Sequence, residues 1–277
     1  MNAIGTVKAK AIKHEWMTQA LRSAASNAQA EGFTPSFGTQ GSTQADTTGV
    51  ARPRVRRSNQ VQIIADTITA SFTQEYVDKA GLGTGSEYEE QKNIRMLEIS
   101  KDADRALLIS TTVTRDADAG TASAMDGLLA WAPAGNTINN GGAALTQDLF
   151  EQLTRAIWVL SGQYTDTLVC NGFQRRQIST WTTQFKQHQS KDKELVDTVE
   201  TYTGDWGTQV VLPDPHMTTT SICVFRKEYV KKAYLRPMAS YELGQTIDGR
   251  RGYVVTEVTL EARNPNTVGT ITSLLAS

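Results

Sequence analysis

The sequence predicts an α+β fold, and three observations carry that expectation. Ser86 to about Ser110 has the apolar period of one long helix. Strand-like alternation precedes it, and a mixed α/β stretch with further strands follows it. With 277 residues and 39% hydrophobic content, the chain holds enough apolar material for one large domain or two ordinary ones.

Thr6 to Trp16 alternates, with Val7, Ala9 and Ala11 on one face and Lys8, Lys10, Ile12, His14 and Trp16 on the other. It reads as a single strand. From Ala20 to Asn59 the composition turns small and polar, which predicts a long loop. Val61 to Phe72 predicts a second strand, with Ile64, Ile68, Ala70 and Phe72 in phase. Two strands joined by so long an excursion make an extended hairpin. A lone hairpin is only marginally stable in water, so this one needs a surface to lie on, and Thr6 to Phe72 is expected to lie across a neighbouring subunit rather than on its own core.

Gly81 to Ser86 reads as a hinge into the long helix. Ser86 and Glu89 have the spacing of a capping box, and Glu87, Glu89 and Glu90 complement the helix dipole in the first turn. Met96, Ile99, Ala103, Ala106 and Leu107 form the apolar stripe. Glu89 with Lys92, Glu98 with Lys101 and Asp102 with Arg105 are spaced to pair on the wet side. At ~1.5 Å per residue the helix reaches roughly 36 Å, the dimension of a scaffold.

Ala119 to Asp126 reads as loop, Gly127 to Trp131 as a short apolar knot, and Asn136 to Leu145 as loop again. Thr146 caps a second helix with Leu149, Leu153, Ile157 and Leu160 as its stripe, and Gly162 ends it. Thr167 to Asn171 predicts a strand buried on both faces. Gly172 to Thr183 predicts a helix anchored by Phe173, Ile178 and Trp181, and Phe185 to Lys193 is polar. Leu195 to Tyr202 and Thr208 to Leu212 flank a Gly-bounded turn and read as a hairpin. Ser221–Phe225, Ala233–Leu235, Gly252–Glu261 and Val268–Leu275 predict four further strands.

The 28 basic and 29 acidic residues give a formal net charge of −1, which argues against a chain built mainly to wrap nucleic acid or an anionic membrane. The N-terminal segment has no continuous apolar run, and no stretch approaches the ~20 apolar residues of a bilayer span. Cys170 and Cys223 both sit in strand-like segments and read as buried, reduced thiols.

Chemical motifs are scarce. His14, His188 and His216 have no Cys, His, Asp or Glu at ligand spacing, which predicts no metal site. A nucleotide-binding enzyme would use the glycines of Gly81 to Ser86 at the helix start. Their spacing is G-x-G-x-G, without the Lys-Ser/Thr of a phosphate loop, so a hinge is the better reading. Asp102 with Asp104 and Asp116 with Asp118 read as solvated carboxylates rather than catalytic pairs. Arg52, Arg54, Arg56 and Arg57 cluster around Pro53 and could grip nucleic-acid phosphates. No interleaved aromatics offer stacking platforms. A charged strand edge that meets an acidic neighbour accounts for the cluster better, with Glu87, Glu89 and Glu90 of another subunit as candidate partners.

The order of elements is strand, long loop, strand, long helix, loose loop, α/β domain, returning strands. With it come four local motifs: Lys13-His14-Glu15-Trp16, Gly127-Leu128-Leu129-Ala130-Trp131, Tyr234-Leu235-Arg236-Pro237 and Glu261-Ala262-Arg263-Asn264. Together these resemble the major capsid (major head) proteins of tailed bacteriophages, the Hong Kong 97 fold. The resemblance spans nearly the whole chain. It implies an extended β-hairpin E-loop in residues 1–75, and a peripheral domain with the spine helix and β-sheet in 76–125 and 232–264. An α/β axial domain then takes 126–231 and 265–277. It implies a structural protein without catalysis or cofactor, building hexamers and pentamers of an icosahedral head around a DNA genome. The implied partners are the protein itself, scaffolding, portal and decoration proteins, and packaged DNA without sequence specificity. The implied location is the virion, with assembly in the host cytoplasm. Relatives of this branch carry an N-terminal arm before the first strand, whereas Met1 here falls almost at that strand. No Lys/Asn pair is identifiable as the isopeptide crosslink of some relatives.

Overall fold

The computed structural model describes residues 4–19, 28, 31–33, 54–77, 86–114, 120–181, 201–244 and 248–276. The chain divides into two compact units, one of Met1–His14 with Asn59–Ser277, the other of Glu15–Ser58.

The larger unit holds two sheets. The first has the order β1-β10-β11-β4, from Gly5–Lys8 (β1), Val230–Leu243 (β10), Gly249–Ala262 (β11) and Gln62–Ser71 (β4). β1 runs parallel to β10, and β11 runs antiparallel to both β10 and β4. β10 is far longer than the Ala233–Leu235 segment expected. It continues past Pro237 because the ladder shifts register between Arg236 and Ala239, and a proline fits where pairing is already irregular.

Three expectations fail here. Thr6–Trp16 is not one strand: β1 ends at Lys8, and Lys13–Gln19 (β2) begins a separate ladder. Buried Ala9 donates its N–H to the Tyr234 carbonyl at 2.9 Å, and the Ile12 carbonyl accepts from Val61 N–H at 2.8 Å. The chain bends between those two bonds and the buried face changes phase, from Val7 and Ala9 before the bend to His14 and Trp16 after it. Nor does Val61–Phe72 pair with the first strand, and the expectation that all of Thr6 to Phe72 lies off its own core fails with it, because β1 and β4 belong to the chain's own sheet. β4 lies on β11, with Ile64, Ile68 and Ala70 buried as phased, and Phe72 already opens a short helix, Phe72–Tyr76 (α1).

The long helix, Glu87–Ile109 (α2), has 23 residues, as the periodicity requires. Tyr88, Ile99, Ala106, Leu107 and Leu108 are buried, and Met96 and Ala103 pack against the same core. That core joins α2 to Ile64, Ile68, Val254, Val258 and Leu260 of the sheet. Burying each large aliphatic side chain contributes about 1.5–3 kcal/mol. Glu89 pairs with Lys92, but Glu98 pairs with Arg95 (2.6 Å) rather than Lys101, and Arg95 also reaches Asp66 of β4 (3.1 Å).

The second sheet has the order β5-β12-β9-β6-β8-β7, from Thr137–Asn139 (β5), Thr167–Cys170 (β6), Thr201–Gly204 (β7), Gly207–Pro213 (β8), Ile222–Phe225 (β9) and Gly269–Thr272 (β12). β6 and β9 are buried throughout. Their alternation sends Leu168, Cys170, Ile222 and Val224 to one core, and Val169, Cys223 and Phe225 to the core shared with α2. The two thiols are therefore free and face opposite ways. Burial pushes the Cys170 thiol up to about 12 and Cys223 higher still, so both stay protonated.

Gln147–Ser161 (α3) and Gly172–Trp181 (α4) pack on this sheet's outer core. Thr146 accepts from Leu149 N–H at 3.3 Å, and Gly162 stands at φ 67°, the left-handed conformation that closes a helix. The buried stripe is Phe150, Leu153, Thr154 and Ile157, and expected Leu160 is 47% exposed. Phe150 meets Tyr202 edge-on at 5.1 Å and Trp181 at 6.0 Å. On α4, Ile178 is buried as expected and Phe173 only half so. Gln174 is a buried polar anchor, donating to the Thr219 and Leu275 carbonyls at 2.7 and 2.8 Å.

The smaller unit holds most of the two-stranded ribbon of β2 with Arg54–Gln60 (β3), whose residues Lys13, His14, Asn59 and Gln60 belong to the larger. β3 lies where a loop is expected, because RVRRSNQ has no apolar alternation. Segments Phe185–Lys193 and Leu195–Glu200 lie outside the described residues.

Candidate assembly interface

The described part of the arginine cluster sits on β3. Arg54, Arg56 and Arg57 are exposed, and Arg52 lies outside the described residues. Arg56 reaches Glu15 of β2 at 3.6 Å, and the Thr18 hydroxyl donates to the Val55 carbonyl at 3.3 Å. Val55 and Met17 are 51% and 58% exposed, so the ribbon presents cations interleaved with uncovered apolar side chains.

The acidic trio lies on the first turn of α2. Glu89 and Glu90 are exposed and Glu87 is half-buried. Glu89 has Lys92 beside it, and Glu87 accepts from Gln91 Nε2 at 3.0 Å. The expected capping box is absent. Ser86 makes no side-chain cap bond. Its hydroxyl donates to Glu75 of α1 instead, and the other Glu75 oxygen accepts from Tyr88 N–H at 3.3 Å. A carboxylate of the chain itself thus occupies the place a phosphate would take at this helix end. The strand before it is antiparallel, unlike a dinucleotide-binding fold. Gly81–Gly85 lie outside the described residues.

Two of the motifs that carry the resemblance meet in space. His14 of Lys13–Trp16 lies 2.8 Å from Glu261 of Glu261–Asn264, both buried, and Arg263 holds the other Glu261 oxygen at 2.7 Å. Burial raises the Glu261 carboxyl, but the hydrogen bonds from His14 and Arg263 outweigh it and hold the group below its ordinary value. Next to this pair, Asn59 donates to the carbonyls of Leu260 (2.8 Å) and Asp126 (3.0 Å) and accepts from Asp126 N–H (2.8 Å). Gly127 then tucks against the end of α2, where a Cβ would lie 2.8 Å from Ala106 O and Ser110 N. Trp131 closes the knot by donating to the Asp126 carbonyl at 3.3 Å. Arg236 pairs with Glu257 across β10 and β11 at 2.7 Å. The four motifs are structural ties rather than a reactive constellation.

The remaining candidate groups stay apart. Exposed Asp102 lines an open groove of about 650 Å³ with Arg105 and Gln62, and no histidine or cysteine joins it. The His216 N–H donates to Asp214 at 2.9 Å. His188, Asp116 and Asp118 lie outside the described residues. Among the described residues no cluster of three metal-ligating side chains occurs, and no helix is long and apolar enough to cross a membrane.

The sequence profile of the SU10 major capsid protein family matches residues 1–275. The chain belongs to the SU10 major capsid protein family. Solved structures agree on the fold. The capsid protein is similar to the holo-SrpI encapsulin complex from Synechococcus elongatus PCC 7942, with TM-score 0.63 and 9% identity, over 99% of this chain and 86% of that one. It is similar to a protein of Microbacterium phage Oxtober96, with TM-score 0.61 and 13% identity, over 98% and 89%. It is also similar to the capsid of Cyanophage P-SCSP1u, with TM-score 0.58 and 11% identity, over 99% and 87%. No curated protein matches the sequence. The fold is that of Hong Kong 97-type major capsid proteins, and the protein is a structural, non-enzymatic component of a phage capsid. Tying residues that no local sequence pattern marks are Glu15, Asn59 and Glu75, whose contacts all lie within the chain.

Proposed function

We propose that this capsid protein forms hexamers and pentamers of an icosahedral head enclosing the DNA genome, with the β2–β3 ribbon lying across a neighbouring subunit. The observation that carries the ribbon's role is its surface. Arg54, Arg56 and Arg57 stand exposed beside uncovered Val55 and Met17, with little apolar area of its own to bury. In this reading Arg52, Arg54, Arg56 and Arg57 face Glu87, Glu89 and Glu90 at the neighbour's α2 start. Rim pairs of this kind contribute ~0–1 kcal/mol each but set the register between subunits. The span of the proposal is the ribbon alone, because β1 and β4 belong to the chain's own sheet.

In the same reading, α2 with the β1-β10-β11-β4 sheet forms the peripheral domain, near 76–125 and 232–264, to which β1 and β4 add. The six-stranded sheet with α3 and α4 forms the axial domain, near 126–231 and 265–277. Scaffolding, portal and decoration proteins are further partners, packaged DNA is contacted only through unspecific charge, and assembly takes place in the host cytoplasm. The test is Arg54→Glu with Arg56→Glu. The variant should keep the circular dichroism of the parent and fail to form normal shells. Normal shells from it would overturn the ribbon's role.

A further inference from the structure

α1 is a five-residue helix with no buried residue, yet one side chain ties it both to the start of α2 and to β11. Glu75 accepts from the Ser86 hydroxyl with one oxygen and from Tyr88 N–H, at 3.3 Å, with the other. Arg250 of β11 stands 3.6 Å from Glu75, and donates to Ser86 Oγ at 3.4 Å. The same guanidinium forks onto Glu242 of β10 at 2.9 and 3.1 Å and lies 4.3 Å from the Tyr88 ring centroid. Tyr88 is 3% exposed, and its hydroxyl fills the space a Cβ on Gly252 would need. The backbone bond from Phe72 N–H to the carbonyl of Asp248, just before β11, is long at 3.5 Å.

We propose that Glu75 is a carboxylate latch that closes the N-terminal end of the long helix from outside it and fixes α1 there, and that neutralising this one group opens the joint without unfolding the domain. The helix end needs an anion because its first N–H groups have no partner within the helix. Ser86, the natural cap, has given its hydroxyl to Glu75 instead. The latch therefore replaces a local cap with a long-range one, and α2 starts properly only while α1 is docked. Releasing it frees Tyr76 and Val77, already 84% and 56% exposed, to move with α1.

The groups around Glu75 define its acid response. Ser86 and the N–H groups of Glu87 and Tyr88 face it from α2, and Arg250 faces it from β11 with Glu242 of β10 behind; Lys92 lies one turn on. The Ser86 hydrogen bond first, then the Tyr88 N–H and Arg250, hold the carboxyl below its ordinary value against the effect of burial. A depressed carboxyl stabilises the docked form above its free value and loses that contribution as pH falls through the docked value.

The test is amide hydrogen exchange of the full chain, corrected for intrinsic rates, on wild type, Glu75→Gln, Glu75→Asp and Arg250→Lys. Glu75→Gln should raise exchange over residues 86–90 about tenfold, the cost of a lost charge-assisted bond, and leave β6 and β9 unchanged. Glu75→Asp and Arg250→Lys should fall between it and wild type. Wild type below the carboxylate range should approach the Glu75→Gln rate, and that variant should show no further acid response there. Wild-type protection in Glu75→Gln, loss spread evenly over the chain, or an acid response retained in the variant would each overturn the latch. None of these outcomes depends on shell formation, so the latch and the ribbon's role fail separately.

Discussion

Single residues do two kinds of work here, filling space and compensating buried charge. Gly127 is fixed by close approach: three backbone atoms of Ala106, Leu108 and Ser110 lie 2.8 Å from where a Cβ would stand, and backbone cannot swing aside. Gly127→Ala should therefore destabilise the fold by about 1–3 kcal/mol, read as a lower denaturation midpoint with an unchanged slope. An unchanged midpoint would mean that the end of α2 shifts freely. His14 compensates charge. His14→Ala leaves the Glu261 carboxylate buried with Arg263 alone, and should cost about 1–3 kcal/mol near neutral pH. Because the Glu261 carboxyl is held low, its stabilisation is present above its unfolded value and disappears as pH falls through the folded one. The variant has less to lose, so its stability should fall less steeply on the acid limb. A parallel acid limb in the two proteins would show that the contact does not hold the carboxylate.

Elements were legible where one side chain in two or four faces a core. β6 and β9 carry continuous apolar runs and are buried on both faces, and α2 begins and ends within a residue of its period. On α3 the period fits two stripes around Leu153 and Ile157, one adding Leu149 and Leu160 and the other, which is the buried one, adding Phe150 and Thr154. The charge-rich β3 had no signal, since a ribbon with exposed faces needs no alternation. The break between β1 and β2 was invisible because it is made by backbone bonds to Tyr234 and Val61. The arginine cluster was legible from composition, but the Glu75 latch was not, because its members are scattered over residues 75, 86, 88 and 250. Helix caps offer a test at this scale. Thr146→Ala removes the acceptor for Leu149 N–H and should cost about 1 kcal/mol of stability by thermal unfolding. A loss no larger than that of an exposed surface threonine would show that the cap contributes nothing.

At the scale of the whole molecule, one continuous core ties α2, the β1-β10-β11-β4 sheet and one face of the six-stranded sheet into a stiff unit. Glu15–Ser58, which holds most of the charged ribbon, is a separate compact unit. A ribbon that leaves Val55 and Met17 uncovered suits repeated association, in which one surface meets a different surface of the next copy and the rotation closes. The family match over residues 1–275 gives that association its form, a capsid shell. Association of many copies follows mass action, so assembly should depend steeply on protein concentration. The most direct measurement is electron microscopy of the purified chain across a range of concentrations and salts. Hexamers, pentamers or closed shells are the predicted result, and a species that stays monomeric under every condition would contradict the account.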